Sequence, residues 1–195
     1  VYRNLTHSFD PEMKLIPELV KNKRRAIDIG ANIGIYTRYL SKIFDQVEAF
    51  EPLQKASKYI HRANLNNVTI HNIGLSDFKG SVNLNVPVKK GVARYGNSSI
   101  VSSIYNKFEE INNINILTNK LDNYKFENID FIKIDVEGYE IQVIEGAEQT
   151  IIKNSPLILI EIEKRHLPNK ISIQDVFQKI KNHGYKGYFL FRNEL

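Results

Sequence analysis

The sequence predicts an α/β fold built on a doubly wound, mostly parallel sheet. Three observations lead there. Short apolar runs alternate with helical patterns over most of the chain, joined by short connections. Two of the early runs, Ala26-Ile27-Asp28-Ile29-Gly30 and Val47-Glu48-Ala49-Phe50-Glu51, end in a glycine and in an acid, as the strands of a βαβ ligand-binding unit do. A later run, 157–163, is continuously apolar at its start, the pattern of a strand buried on both faces.

Each element follows from its own residues. Asp10 as N-cap and Pro11 in the first turn predict a leading helix over 11–21, interrupted at Pro17. Strand one is 26–30. The helix 34–44 places Ile35, Tyr39 and Ile43 on one face, with Tyr36 and Leu40 beside them. Strand two is 47–51. Pro52 opens a helix over 53–66 with Ala56, Tyr59, Ile60 and Ala63 inward. Strand three is 68–73. Val82-Asn83-Leu84-Asn85-Val86 alternates as a strand does, and 87–104, rich in Gly, Ser and Asn, reads as an irregular acceptor-side loop. Leu121-Asp122-Asn123-Tyr124 leads to strand four, 131–136. A helix over 139–153 follows, then strand five, 157–163, a helix over 172–183 ending at Gly184, and strand six, 185–191.

The 195 residues predict one domain, 1–195, with 1–25 as a leading helical segment. Hydrophobic content of 42% and charged content of 25% are those of a globular protein. No apolar run approaches the ~20 residues that span a bilayer, and no signal peptide is visible, so a cytoplasmic protein is expected. The first residue is Val1, not Met, as in a trimmed segment. The absence of cysteine excludes disulfides, thiolate metal sites and cysteine nucleophiles. The net charge of +5 is spread thinly, densest at Lys21, Lys23, Arg24 and Arg25 and at Lys89-Lys90. It reads as a solvated surface, or as attraction to an anionic acceptor such as a sugar nucleotide, a lipid-linked glycan or RNA. Aromatic and basic residues are not interleaved densely enough for a nucleic-acid platform.

In an open α/β sheet, ligands bind beyond the carboxyl ends of the strands. The first tip carries Asp28-x-Gly30-x-x-x-Gly34, not the G-x-G-x-x-G that brings a pyrophosphate onto backbone N–H groups. Asp28 would repel phosphate but suits a cation, and Glu51 sits where a carboxylate can take two ribose hydroxyls. Together these suit S-adenosylmethionine (SAM), which has a ribose, a sulfonium and an ammonium but no phosphate. The plainer alternative is a sheet whose Gly30 and Gly34 serve only packing. Glu51 at the end of the next strand favours the ligand.

The other tips carry acids. Asp135, Glu137 and Gly138 follow strand four; Glu161, Glu163 and His166 follow strand five. A buried acid is costly unless it is paired or used, so each has both a structural and a catalytic reading. Asp135, Glu161 and a nearby acid could hold Mg²⁺, but no His-x-His or Asp-Asp pair supports a metal, and none is favoured. No Asn-Pro-Pro-Tyr or Asp-Pro-Pro-Tyr follows strand four, which argues against methylation of planar amines. Without cysteine, covalent cytosine methylation is excluded, and an oxygen acceptor is what remains.

These residues resemble a known family. Asp28-Ile29-Gly30-Ala31-Asn32-Ile33-Gly34, Ala49-Phe50-Glu51-Pro52, Leu121-Asp122, and above all Ile132-Lys133-Ile134-Asp135-Val136-Glu137-Gly138-Tyr139-Glu140 with Glu145-Gly146-Ala147 look like the FkbM-type SAM-dependent methyltransferases. The resemblance implies a class I, Rossmann-like methyltransferase fold and O-methylation of sugar or polyketide hydroxyls. It implies that Gly30, Asn32 and Gly34 line the methionine end of SAM, that Glu51 binds its ribose, and that Ser76 and Asp77 lie near its adenine. Asp135 and Glu137 fall at the active-site edge. The seventh, antiparallel strand of that fold has no counterpart in the sequence, which stops at Leu195 just past strand six.

The expected reaction is in-line transfer of a methyl group from SAM to a hydroxyl, leaving S-adenosylhomocysteine (SAH). Asp135 is the first choice of base, with Glu137 and His166 behind it. The expected acceptor is a small molecule or a sugar of a surface glycan or its precursor. An RNA 2′-O-methyltransferase and a non-catalytic SAM-binding domain are the alternatives.

Overall fold

The computed structural model describes residues 11–89, 92–93, 98–100, 110–164, 166–167 and 171–188. The main sheet has five parallel strands: β1 (Arg25–Ile29), β2 (Gln46–Phe50), β3 (Val68–His71), β8 (Ile129–Ile134) and β9 (Leu157–Ile160), in the order β3-β2-β1-β8-β9. The order reverses between β1 and β8, so the loops leaving these two strands part there and open a crevice.

Strand periodicity decides what lies on each face. Ile27 and Ile29 of β1 and Ile132 and Ile134 of β8 face one core, with Val143, Ile144 and Ile151 from α4 (Glu140–Gly146) and α5 (Glu148–Asn154) and with Val176 from α6 (Ile173–Lys181). Ala26 and Phe131 face the other, with Leu40 of α2 (Ile35–Leu40) and Phe44. Ile60 of α3 (Gln54–Arg62) packs beside them on Ala31 and Ala49. Helices therefore cover both faces, as the apolar runs require.

A second sheet caps the carboxyl edge. β5 (Gly80–Lys89) and β7 (Glu110–Asn119) pair antiparallel, flanked by β4 (Gly74–Leu75) and β6 (Val92–Ala93). Val82, Leu84, Val86, Ile114 and Ile116 turn inward onto Leu53 and Ala56 of the main layer.

Several expectations are corrected. Pro17 does not interrupt the leading helix: a 3₁₀ turn, Pro11–Leu15, passes into α1 (Ile16–Leu19), and Pro17 sits in its first turn, where no N–H is needed. The cap expected at Asp10 lies outside the described residues. Of the face expected for α2, Leu40 is buried and Tyr36, Tyr39 and Ile43 pack beside it, but Ile35 is exposed and Thr37 is buried instead. Tyr59, expected inward, is also exposed. The helix expected over 139–153 breaks at Ala147 into α4 and α5. The strand-like run over 82–86 is longer, and the expected loop over 87–104 begins as strand: β5 runs to Lys89, and Ser99 pairs with Asn85. Tyr185–Tyr188 are not strand, and the rest of expected strand six lies outside the described residues.

Candidate active site

Two loops build the crevice. As the chain leaves β1, Gly30 takes φ +78°, and a Cβ there would lie 1.8 Å from the carbonyl oxygen of Asp135. Only glycine lets these backbones meet. The N–H groups of Gly30 and Ala31 both donate to the carbonyl of Phe50, which ties this loop to the end of β2. Asn32 then turns through φ +50°, and its N–H points at Glu51.

Glu51 is held from two sides. Its Oε2 accepts from the N–H of Asn32 and its Oε1 from the N–H of Leu53, both at 2.8 Å. It is buried, and burial pushes its carboxyl up to about 7 against the opposing pull of these two bonds. It faces an open cleft. Leu53, Leu75, Leu84 and Ile116 give that cleft apolar walls, and Asp135, Glu137, Ser98 and Tyr139 give it polar groups. An apolar slot with a few convergent polar groups is the usual form of a small-ligand site.

Asp135 follows β8, its N–H donating to the carbonyl of Ile29. Its Oδ2 lies 3.0 Å from Nζ of Lys133. Lys133 is buried between two acids: its Nζ lies 3.7 Å from Asp28 and 4.7 Å from the ring centroid of Tyr36. Burial alone would pull its ammonium down, but Asp28 and Asp135 outweigh burial and raise it. Asp28, fully buried opposite Lys133 in the sheet register, also accepts from the hydroxyl of Thr37 at 2.6 Å. Burial still pushes its carboxyl upward.

Glu137 and Gly138 turn through φ +54° and +97°. A Cβ on Gly138 would fall 2.0 Å from the carbonyl oxygen of His166, so this turn is pressed onto the loop after β9. The Glu137 carboxylate pairs with Nδ1 of His166, and the Glu137 carbonyl accepts from the hydroxyl of Ser99. Glu140 accepts from the N–H of Gly138 and closes the turn; burial raises its carboxyl.

Glu51, Gly30, Asn32, Asp135 and Glu137 thus meet in one cleft, as their positions in the sequence predicted. His166 does not line it; it stands buried behind Glu137. Asp28 lies beneath the floor, and Gly34 packs against Ile60. Ser76 and Asp77 follow Gly74 and Leu75, which do line the cleft. Ser76 itself is buried, its hydroxyl donating to Asp77 and its carbonyl pressed on Gly146. Asp122 caps α5, accepting from Gln149, from the Thr150 N–H and from its hydroxyl. Among the described residues no group of three or more His, Cys, Asp or Glu could hold a metal. No helix there is long and apolar enough to cross a membrane.

The sequence reading missed the roof. Leu84 and Ile116 belong to a hairpin whose second strand went unrecognised, although Ile114-Asn115-Ile116 repeats the alternation of Val82-Asn83-Leu84. It also missed Leu53, whose N–H and side chain both serve the cleft.

A match to the methyltransferase FkbM domain spans residues 28–186. The structure is similar to a methyltransferase FkbM from Methylobacillus flagellatus KT, at 18% identity and a TM-score of 0.54, over 83% of this chain and 36% of that one. It is also similar to a SAM-dependent methyltransferase from Aquifex aeolicus, at 17% identity and a TM-score of 0.47, covering 90% and 79% of the two chains. An rRNA methylase from Streptococcus thermophilus matches at 14% identity and a TM-score of 0.42, covering 73% and 61%. None of the curated proteins matches. At these identities the structural likeness concerns the fold, which is that of class I SAM-dependent methyltransferases. The chain belongs to the FkbM methyltransferase family, and it spans little more than a third of the Methylobacillus chain.

Proposed function

We propose that this FkbM-family chain is a SAM-dependent O-methyltransferase acting on a hydroxyl of a sugar, in a glycan or its small-molecule precursor. The observation that carries the reading is the presence, in one cleft with apolar walls, of Glu51 together with Asp135 and Glu137. The donor set fits a nucleoside that bears a cation. A carboxylate that accepts one backbone bond on each oxygen keeps a lone pair on each for two ribose hydroxyls. Leu53, Leu84 and Ile116 suit a purine face, and the acids suit a sulfonium and an ammonium.

When bound, SAM supplies an electrophilic methyl carbon: the acceptor oxygen bonds to it as the C–S electrons pass to sulfur, leaving SAH and a proton for the chain to remove. Asp135 is the first base for that proton, since it lines the cleft and its other partner, Lys133, holds it in place. Glu137 lines the cleft beside it, and His166, paired to Glu137, fixes that carboxylate and can carry a proton away through its ring. The chain contributes alignment, because oxygen and methyl must meet in line at roughly 3–3.5 Å. The hairpin roof, with Leu84 and Ile116, gives the cleft apolar surface above the main sheet. The polar lining residues Ser98 and Tyr139 support an acceptor rich in hydroxyls.

The test is SAH release with a panel of nucleotide sugars, oligosaccharides and RNA oligonucleotides, alongside calorimetric SAH binding. SAH-bound protein that methylates a sugar hydroxyl is the expected outcome. Turnover on RNA alone would move the reading to 2′-O-methylation, and absent SAH binding would overturn it.

A further inference from the structure

The α2–α3 side of the molecule carries a charge and apolar pattern that the cleft does not use. Exposed Ile35, Arg38 and Lys42 recur at helical spacing along α2 and the turn after it. Lys58, Tyr59 and Arg62 form the matching exposed stripe on α3. The stripes lie side by side. The Arg38 guanidinium donates to the carbonyl of Tyr59 at 2.9 Å, and Gly34 fits against Ile60. The cations of Lys58 and Arg62 stand 5.2 Å and 5.9 Å from the Tyr59 ring centroid. None of Arg38, Lys42, Lys58 and Arg62 has an ion-pair partner among the described residues. Neither helix contains an acid. Of the acids between Ala31 and Asn67, Glu48 and Glu51 are buried, which leaves Asp45 at the surface.

Three large apolar side chains interrupt this basic field: Ile33 is 44% exposed, Ile35 52% and Tyr59 43%. Cations alone would suit any polyanion. Two exposed isoleucines add nothing to a phosphate backbone or to a base stack, but they gain by entering the acyl boundary of a bilayer, where a tyrosine ring is also at home. We propose that this face docks the protein on an anionic lipid surface, the isoleucines and Tyr59 entering the interface while the cations meet the headgroups. Ile33 directly follows Asn32, which lines the cleft, so docking sets the cleft mouth beside the headgroups. The proposal stands independently of the reaction assigned to the cleft.

Co-sedimentation with phosphatidylglycerol vesicles and with phosphatidylcholine vesicles tests it, with SAH affinity measured on each variant as the control for folding. The expected result is binding to phosphatidylglycerol only, weakened by salt. Each basic residue is worth roughly fivefold in partitioning, so Lys58→Glu with Arg62→Glu lowers it at least twentyfold. Ile35→Ser lowers vesicle binding several-fold but leaves binding to a single-stranded RNA oligonucleotide unchanged, and both variants keep their SAH affinity. No preference for phosphatidylglycerol, or an Ile35→Ser variant that binds vesicles as the parent does, overturns the proposal. Tighter binding of the RNA through Lys58 and Arg62, with no vesicle binding, would assign the face to nucleic acid instead.

Discussion

Glu51 and Asp135 are carboxylates of one cleft, yet their surroundings give them opposite characters. Glu51 is held by two backbone N–H groups, forms no ion pair among the described residues, and is raised to about 7 by burial. Asp135 is more exposed and paired at 3.0 Å with an ammonium that itself is held between two acids. The first carboxylate is poised to be completed by neutral hydroxyl donors. The second already has a cation of its own protein as partner. Position at a strand tip therefore does not fix what an acid does; the cation beneath it does.

The largest expected effect breaks the Asp135 half. Asp135→Asn keeps the shape but loses the charge and the basicity. Single-turnover methyl transfer should fall ~10²–10⁴-fold, the usual worth of a general base, while SAH affinity measured calorimetrically changes far less. Normal turnover would shift the base to Glu137. Next comes the cation itself. Lys133→Met leaves Asp28 fully buried with only Thr37 to satisfy it, and urea melts should show a loss of about 3–5 kcal/mol. Adding Asp28→Asn to that variant should return part of the loss. If it returns none, the two groups are not coupled as their geometry requires.

Glu51→Gln sharpens the other half. It keeps the size and one acceptor but removes the charge, so SAH affinity should drop by roughly 1.5–3 kcal/mol, with the chemical step on bound substrate little changed. A loss confined to turnover would mean that Glu51 belongs with the reacting atoms.

The same contrast explains what could be read without a structure. The Gly30–Glu51 unit and the Asp135 block were legible because each has a local cause: a glycine at positive φ where two backbones meet, and an acid closing an apolar strand. Residue chemistry at the strand tips was enough to bring Gly30, Asn32, Glu51, Asp135 and Glu137 to one cleft. What was not legible depends on partners far along the chain. Lys133 pairs with Asp28 across a register that no local pattern sets. Leu84 and Ile116 face the cleft only because β5 and β7 pair over a long separation. Tyr59 and Ile35 carry core-type side chains at helical spacing, yet both are exposed, since periodicity gives a helix its faces without saying which one meets the sheet.

The smallest expected effect is the most direct test of why the two acids differ, and its sign can be worked out. In the free protein the Glu51 carboxyl is raised from 4.5 to about 7, so its contribution to stability is present below 4.5 and is lost as pH rises through 7. A ligand that donates two hydroxyl hydrogens to the carboxylate favours the charged form and lowers that value in the complex. Binding therefore releases a proton at and below about pH 7. Affinity for SAH should rise about tenfold between pH 6 and pH 8 and level off above, while the free protein loses this part of its stability over the lower half of that range. Calorimetry in two buffers of different ionisation enthalpy reads the released proton directly. Glu51→Gln should abolish both the release and the slope, and Asp135→Asn should keep them. A slope that survives Glu51→Gln would place the titrating group elsewhere, and the contrast between the two carboxylates would then rest on Asp135 and Lys133 alone.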